Sequence, residues 1–387
     1  MGMPASSSVP PLFTRPFVLA ALATLMLSLS GFLFVHFPGF LHDLGAAEAQ
    51  IGRIMAAPAL GAVMAWPFIG RAMDRFGRRR VMLVGCGSFV LVIGLYLRVS
   101  EIGPLVYLIR VLDGAVQALW FTALFTYGAD LIPAQRRTEG LAIFGISALV
   151  PIGLGAYFGD TILLYADYRE LFLGALALAL AGYGLCLPLR DVPAIARHVS
   201  SANEGMVAAV TDRRLVPIWC AALTFFLALF GLFGFMKTFV TTTGTGSVGS
   251  FFAAYAAIAL ALRLFLGWLP DRVGPKPMVG VSLSCYALGF VVLAGAQTPA
   301  YVLVAGLLCG AGHGFTYPVL LSLVVSRVSE QRRGSAVACY TTTDALGTLI
   351  GGPTIGFLIQ HPGYDVGFLT LALILAIGMA MFYGLDR

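Results

Sequence analysis

Twelve apolar runs, separated by short breaks that hold nearly all the charge, constrain this 387-residue chain more than any other feature. They cover residues 16–41, 51–70, 81–99, 104–131, 139–157, 169–189, 215–240, 250–269, 277–296, 300–327, 335–359 and 365–384. A helix rising 1.5 Å per residue needs about 20 apolar residues to cross a bilayer core roughly 30 Å thick. Lipid offers no hydrogen bonds, so each segment must satisfy its own backbone, and each run reads as a helix. The composition agrees: 59% of residues are hydrophobic and 11% charged, where a soluble domain carries about 25% charged residues. A soluble enzyme, a nucleic-acid binder and a disulfide-stapled secreted module are excluded. The expected fold class is all-α integral membrane, with twelve transmembrane helices.

The run from Pro16 to Leu41 is too long for a signal-peptide core and reads as a retained first helix. Cys86, Cys186, Cys220, Cys285, Cys309 and Cys339 all fall inside apolar runs with no CxxC spacing. They read as small reduced hydrophobes, with no metal and no disulfide framework.

Loop charge sets the expected orientation. Of the 24 Lys and Arg, only Arg53, Arg98, Arg169 and Lys237 fall on one side, and Arg110 and Arg263 lie within spans. All the others fall on the side holding the N-terminus, the even-numbered loops and the C-terminus. The positive-inside rule assigns that side, and both termini, to the cytoplasm. The polar stretch Arg190–Arg214 divides the chain into an expected N-terminal six-helix bundle (1–189), a central cytoplasmic loop (190–214) and a C-terminal six-helix bundle (215–387).

The halves repeat. Gly70, Asp74, Arg75 and Gly77, followed by Arg78-Arg79-Arg80, stand between spans two and three; Gly267, Asp271, Arg272 and Gly274, followed by Pro275-Lys276, stand between spans eight and nine. Gln135-Arg136-Arg137 after span four matches Gln331-Arg332-Arg333 after span ten. Two loops repeated between corresponding spans point to internal duplication.

These loops resemble the signature of the major facilitator superfamily, Gly-x-x-x-Asp-basic-x-Gly-basic-basic. The first copy matches throughout; the second departs at Pro275. The resemblance covers essentially the whole chain. It implies two pseudo-symmetric bundles around a central cavity, working by alternating access without a cofactor. It also implies a conformational latch in which Gly70, Asp74, Gly77 and Arg78 act with Asp130 at the end of span four, and Gly267, Asp271 and Gly274 form a second copy. The glycines let helices approach and turn, and Asp74 fits a helix N-terminus near Gly334. The alternative is a basic loop that only fixes orientation.

Charged groups inside a span cost about 2.5–3.5 kcal/mol each on insertion scales and mark pathways. In span four, Arg110, Asp113, Gln117, Trp120 and Leu124 share one helical arc, a polar stripe that should face protein or water. Arg110-Val111-Leu112-Asp113-Gly114 resembles the superfamily's Arg-x-x-x-Gly motif, which implies proton coupling for Arg110. Asp113, one turn away, can pair with it and is expected to carry protons along with Asp344, Arg110 setting their affinity; the alternative is a permanent ion pair that only eases insertion. Asp344 lies about 15 Å into span eleven, beside Thr341-Thr342-Thr343. Burial there disfavours its charge, so it reads as a protonatable carboxyl or as an inert one bonded to neighbouring hydroxyls.

The candidate substrate contacts are His36, Gln117, Trp120, Phe226, Phe230, His313, Tyr317 and Arg263, each of which is also compatible with packing. Gly352-Pro353-Thr354-Ile355-Gly356 in span eleven, and Pro151 with Gly153 and Gly155 in span five, resemble the superfamily's Gly-Pro-x-x-Gly antiporter motif. The expected function is export of a small amphipathic or lipophilic compound by proton antiport, from a bacterial inner membrane, by a monomer whose partners are substrate, protons and lipid. Proton-coupled uptake of a metabolite is the alternative. A transport-inactive receptor or assembly factor is another, although it should carry large soluble appendages. An embedded enzyme lacks a nucleophile or metal constellation, and no P-loop points to ATP.

Overall fold

The computed structural model describes residues 11–191, 209–329 and 332–386. Most of the central loop, Gln331 of the second basic repeat, Arg197 and Arg387 lie outside them. The described residues include twelve long helices and no strand. The first six are α1 (Arg15–Asp43, tightened by a 3-10 turn at Phe34–His36), α2 (Glu48–Phe76), α3 (Arg78–Leu95), α4 (Pro104–Asp130), α5 (Arg137–Tyr165) and α6 (Tyr168–Cys186). The second six are α7 (Val216–Thr243), α8 (Val248–Leu266), α9 (Pro275–Ala294), α10 (Pro299–Ser326), α11 (Arg333–Gln360) and α12 (Tyr364–Leu385). Among the described residues, every one of these except α11 is both long and apolar enough to cross a membrane. Helix α11 has the length, but Thr341–Asp344 and its glycines dilute its apolar character.

Helix ends follow local chemistry. Pro104, Pro275 and Pro299 occupy first helical positions, where the missing N–H is not needed. That accounts for Pro275 in the second signature copy: it opens α9. Gly77 (φ 84°) and Gly274 (φ 95°) precede the openings of α3 and α9 in a conformation that side chains rarely adopt. Signature residues Gly70 to Arg75 are not a loop but the last turns of α2. A span boundary placed at the first charge ended this helix too early.

Helices α1–α6 pack as one set: α1 on α5 and α6, α4 on α2 and α3, and α3 on α6. Helices α7–α12 repeat this arrangement, with α7 on α11 and α12, α10 on α8 and α9, and α9 on α12. The sets meet along two seams, α2 with α11 and α5 with α8.

Both seams close at the ends remote from Asp74. A Cβ on Gly52 would overlap the Gly352 carbonyl, and one on Gly352 the Gly52 carbonyl, so the α2 and α11 backbones touch. Gly153 lies against Phe252, Ala253 and Ala256 of α8, and the Phe32 and Phe233 rings are 6.1 Å apart across the centre. Toward the Arg-rich loops, Gly70, Gly145 and Gly334 would meet nothing within 4 Å. The interior is thus a cleft sealed on one side and open on the Arg-rich side.

The end of the described chain is clamped. Asp386 accepts hydrogen bonds from Arg327 at 2.6 and 2.9 Å and pairs with Lys276 at 3.5 Å. The Arg327 hydrogen bonds hold its carboxyl below the usual range. A depressed folded value means that the stabilisation is complete above the unfolded carboxylate range and is lost as pH falls through the folded value. Asp386→Asn is expected to cost about 1 kcal/mol near pH 7 and progressively less under acid conditions. Thermal unfolding in detergent across pH checks this; a pH-independent cost contradicts it.

Candidate functional site

Helix α4 carries the most elaborate polar cluster. Asp113 Oδ2 accepts the Tyr96 hydroxyl at 2.8 Å and Arg110 Nη1 at 3.1 Å. Arg110 also donates to the Ile54 carbonyl at 3.4 Å and lies 5.3 Å over the Phe37 ring. Both charged residues are buried, 6% and 5% exposed. The ion pair that their spacing allows is present, and it ties α4 to α1, α2 and α3. Gly114, the motif glycine, sits where a Cβ would strike the Pro58 carbonyl of α2.

The α4 stripe is divided among several neighbours. Gln117 is exposed, with its amide 3.3 Å from the Cβ position of Gly31 on α1. Trp120 is buried against Phe89 of α3 at 5.6 Å and faces away from the cleft.

The second set of helices holds the other cluster. Tyr255 OH hydrogen-bonds His313 Nδ1. Arg263 Nε donates to the Gly314 carbonyl at 3.3 Å and is exposed at the open side. Tyr340 OH donates to the Tyr317 carbonyl at 3.1 Å. Phe226 packs on Tyr340 and Tyr317 at 5.3 and 6.1 Å, beneath the bare backbone of Gly347. Asp344 is half-buried one turn beyond Tyr340, and its carboxyl makes no hydrogen bond or ion pair with a described residue. Tyr317 lies within electrostatic reach of both Asp344 and Arg263. The structure therefore brings together Arg263, His313, Tyr317, Phe226 and Asp344. Phe230 is buried lower on α7 against Phe235.

His36 is not part of this group. It is wholly buried at the sealed side, against Gly159, with Nε2 3.2 Å from Asp160 Oδ1. Sequence reading ended span five at 157, but α5 continues to Tyr165 and carries Asp160 into the seam. There Asp160 Oδ2 accepts the Gly249 amide at 2.5 Å at the start of α8. On the other seam Gln360 of α11 accepts the Ala49 amide at 3.2 Å at the start of α2. Acceptor and donor are each displaced by 200 residues between the two pairs, so one cap is the other's image under the internal repeat. Glu48 adds a further link across the seam, accepting Tyr364 OH at 2.5 Å and Thr238 Oγ1 at 3.3 Å. Asp160, Glu48, Gln360 and Tyr96 were missed from sequence; the first three stand at run edges, where polar residues are ordinary.

The seal is thus fastened by individually weak links. One helix cap is worth about 1 kcal/mol, a factor of about five in a two-state population. Asp160→Ala is expected to shift the population toward opening of the sealed side about fivefold, and adding Gln360→Ala about thirtyfold, since the sites are independent. Reactivity of a cysteine in the sealed part of the cleft reads the shift; an unchanged rate in the double variant contradicts it.

On the open side, Arg78 pairs with Asp130. Asp74 and Asp271 are exposed, and the close approach expected at Gly70 is not made. Gly267 is also exposed.

The family model described as Major Facilitator Superfamily matches residues 17–247 and 241–387. An uncharacterized MFS-type transporter of Escherichia coli, YhhS, is 25% identical over 362 residues, covering 90% of this chain and 87% of that one. Among solved structures, a mutant form of the nucleoside transporter NupG aligns with a TM-score of 0.82 at 16% identity, covering 97% of this chain and 100% of that one. A bacterial homologue of the human lysosomal transporter Spinster, inward-facing and unoccupied, aligns with a TM-score of 0.78 at 13% identity, covering 98% of each chain. With both halves matched in sequence and the whole helical arrangement matched in space, this chain belongs to the major facilitator superfamily of membrane transporters.

Proposed function

We propose that the protein exports a small amphipathic or lipophilic organic compound in exchange for protons, residues 1–189 and 215–387 rocking about the cleft. The observation that carries this reading is Asp344: a carboxyl without a partner among the described residues, inside a cleft walled by Phe226, Tyr317 and Tyr340. A lone intramembrane carboxylate is costly and is relieved by taking up a proton. Arg110 and Asp113 then act as the internal brace of the first half and set its response to load, while Gln117, His313, Tyr317 and Arg263 contact the substrate. His36, Trp120 and Phe230 support the walls.

Exchange is favoured by the glycines of the two antiporter-like segments, Gly153, Gly352 and Gly356, which make the sealing contacts themselves. The Arg-rich side is cytoplasmic in this reading, and the membrane is a bacterial inner membrane. The signature loops, Gly70 to Arg78 with Asp130 and Gly267 to Gly274, latch the open side when it closes. Asp74 is exposed and forms no ion pair with a described residue, which leaves its carboxylate available for that role.

One observation favours co-transport instead. Arg263 has no carboxylate partner among the described residues. A substrate anion placed on it would bind best with Asp344 protonated, so proton and substrate would load together. Everted vesicles carrying the protein, with an imposed pH gradient and a mixed panel of aromatic acids, amines and neutral compounds, separate the cases. Accumulation driven by internal acidity supports exchange; accumulation driven by external acidity supports co-transport and overturns the leading reading.

A further inference from the structure

Two cavities adjoin along the outer surface of the α5–α8 seam. One, of about 230 Å³, is almost wholly apolar and runs from Leu149 to Tyr157 on α5 against Ala253 to Leu260 on α8. The other, of about 810 Å³, continues it toward the sealed side and adds Asp160, Lys237, Ser247 and Ser250. They share Tyr157, Ala253 and Ala257. The rim is made of apolar side chains turned outward, among them Leu164 (73% exposed) and Leu303 (44%). In a membrane-spanning chain such a rim faces lipid.

The polar end has unspent hydrogen-bonding capacity. Lys237 has no ion-pair partner among the described residues, and its stem packs over Gly39. Ser247 Oγ accepts the Ser250 amide, which leaves its own hydrogen for an outside acceptor. Asp160 accepts the Gly249 amide on Oδ2, its Oδ1 stands 3.2 Å from His36 Nε2 without a hydrogen bond, and it forms no ion pair with Lys237. The groove therefore offers a cation and a hydroxyl donor at its head, near the membrane boundary, and an apolar channel about 10 Å long below, taking the stretch from Ala253 to Leu260 on α8 at 1.5 Å per residue.

We infer that this groove binds a glycerophospholipid, its phosphate on Lys237 and Ser247 and one acyl chain laid along the seam. The occupant is amphipathic because the groove is, and its head bears negative charge because the Lys237 ammonium has no ion-pair partner among the described residues, while the Asp160 carboxylate beside it is held by the Gly249 amide. Bound there, it bridges α5 of the first half to α7 and α8 of the second on the sealed side. It thereby favours the arrangement in which that side is closed.

The test uses the full chain purified in detergent, with phosphatidylglycerol, phosphatidylcholine and the headless diacylglycerol of matched chains added back, read by native mass spectrometry. The wild type is expected to retain both phospholipids well over diacylglycerol. Lys237→Gln is expected to lower phospholipid retention about fivefold, the worth of one basic group at a lipid surface. Ala257→Trp, at an exposed position where the cavities join, should exclude the chain and lower retention of all three lipids. Equal retention of diacylglycerol and phospholipid, or wild-type retention in both variants, overturns the proposal. So does displacement of the lipid by a transported compound in the wild type, which would make the groove a substrate path. None of these results depends on proton coupling, so the transport reading stands or falls separately.

Discussion

Asp344→Asn is expected to abolish accumulation driven by a pH gradient while leaving membrane insertion and passive exchange of substrate intact. One pH unit is worth 1.36 kcal/mol per proton, so a gradient of two units, coupled one to one, supports roughly hundredfold accumulation of a neutral substrate. The variant carries no titratable group at this position, and its ratio should fall to about one. Asp344→Glu should retain part of the effect. Vesicle assays at several imposed gradients measure this directly, and a variant that still accumulates substrate removes Asp344 from the coupling. Asp113→Asn is expected to fail differently. Asp113 is bonded to Tyr96 and Arg110 in a buried network, and breaking a buried pair costs about 3–5 kcal/mol. The outcome should be loss of folded protein, seen in yield and thermal stability before any change in coupling.

The second large effect concerns the seal. Gly352→Val is expected to stop transport because the new side chain would occupy the place of the Gly52 carbonyl and the Ala56 methyl. Interpenetration of this kind is not relieved by a rotamer change, since the obstacle is backbone. The sealed side then stays ajar. Phe233→Cys, at the ring that closes on Phe32, should react with a membrane-impermeant maleimide added from the sealed side in the Gly352→Val background and remain protected otherwise. Normal transport by Gly352→Val, or protection of that cysteine, would show that the α2–α11 contact is not the seal.

The contrast between these two predictions and the loss of one cap is a matter of magnitude. Moving a two-state equilibrium from 1:99 to 99:1 takes about 5.5 kcal/mol. Asp160 or Gln360 alone supplies about a fifth of that, so cap variants tilt the cycle where a backbone clash blocks it. A set of weak fastenings suits a seal that must open in every turnover.

The helical plan was legible because each run had to satisfy two requirements, apolarity and length, that sequence displays directly. Turn positions were legible for a similar reason: Gly77 and Gly274 recur in both copies, and both take positive φ. What stayed hidden was partnership. A helical wheel puts Arg110, Asp113, Gln117 and Trp120 on one arc, but the arc is wide enough to touch three neighbours. The chain sends Asp113 to Tyr96, Trp120 to Phe89 and Gln117 toward α1. His36 Nε2 lies 3.2 Å from Asp160, 124 residues away, and no local pattern links them. Asp160 itself looked like a helix terminator because charge was used to end spans. A carboxylate that caps the helix of another subdomain breaks that rule, as functional seams do. The motif in span eleven shows in the sequence, but not that its Gly352 and Gly356 are where the two halves touch.

The central claim is that the two sets of six helices open one side of the cleft only as they close the other. Spin-label pairs placed by Asp74→Cys with Gly334→Cys on the Arg-rich side, and by Ala46→Cys with His361→Cys on the sealed side, would report it in protein whose native cysteines have been replaced. Pulsed electron resonance across a pH series with substrate should show the first distance shortening as the second lengthens, in proportion to one another. Two distances that stay fixed, or that grow and shrink together, would contradict the account.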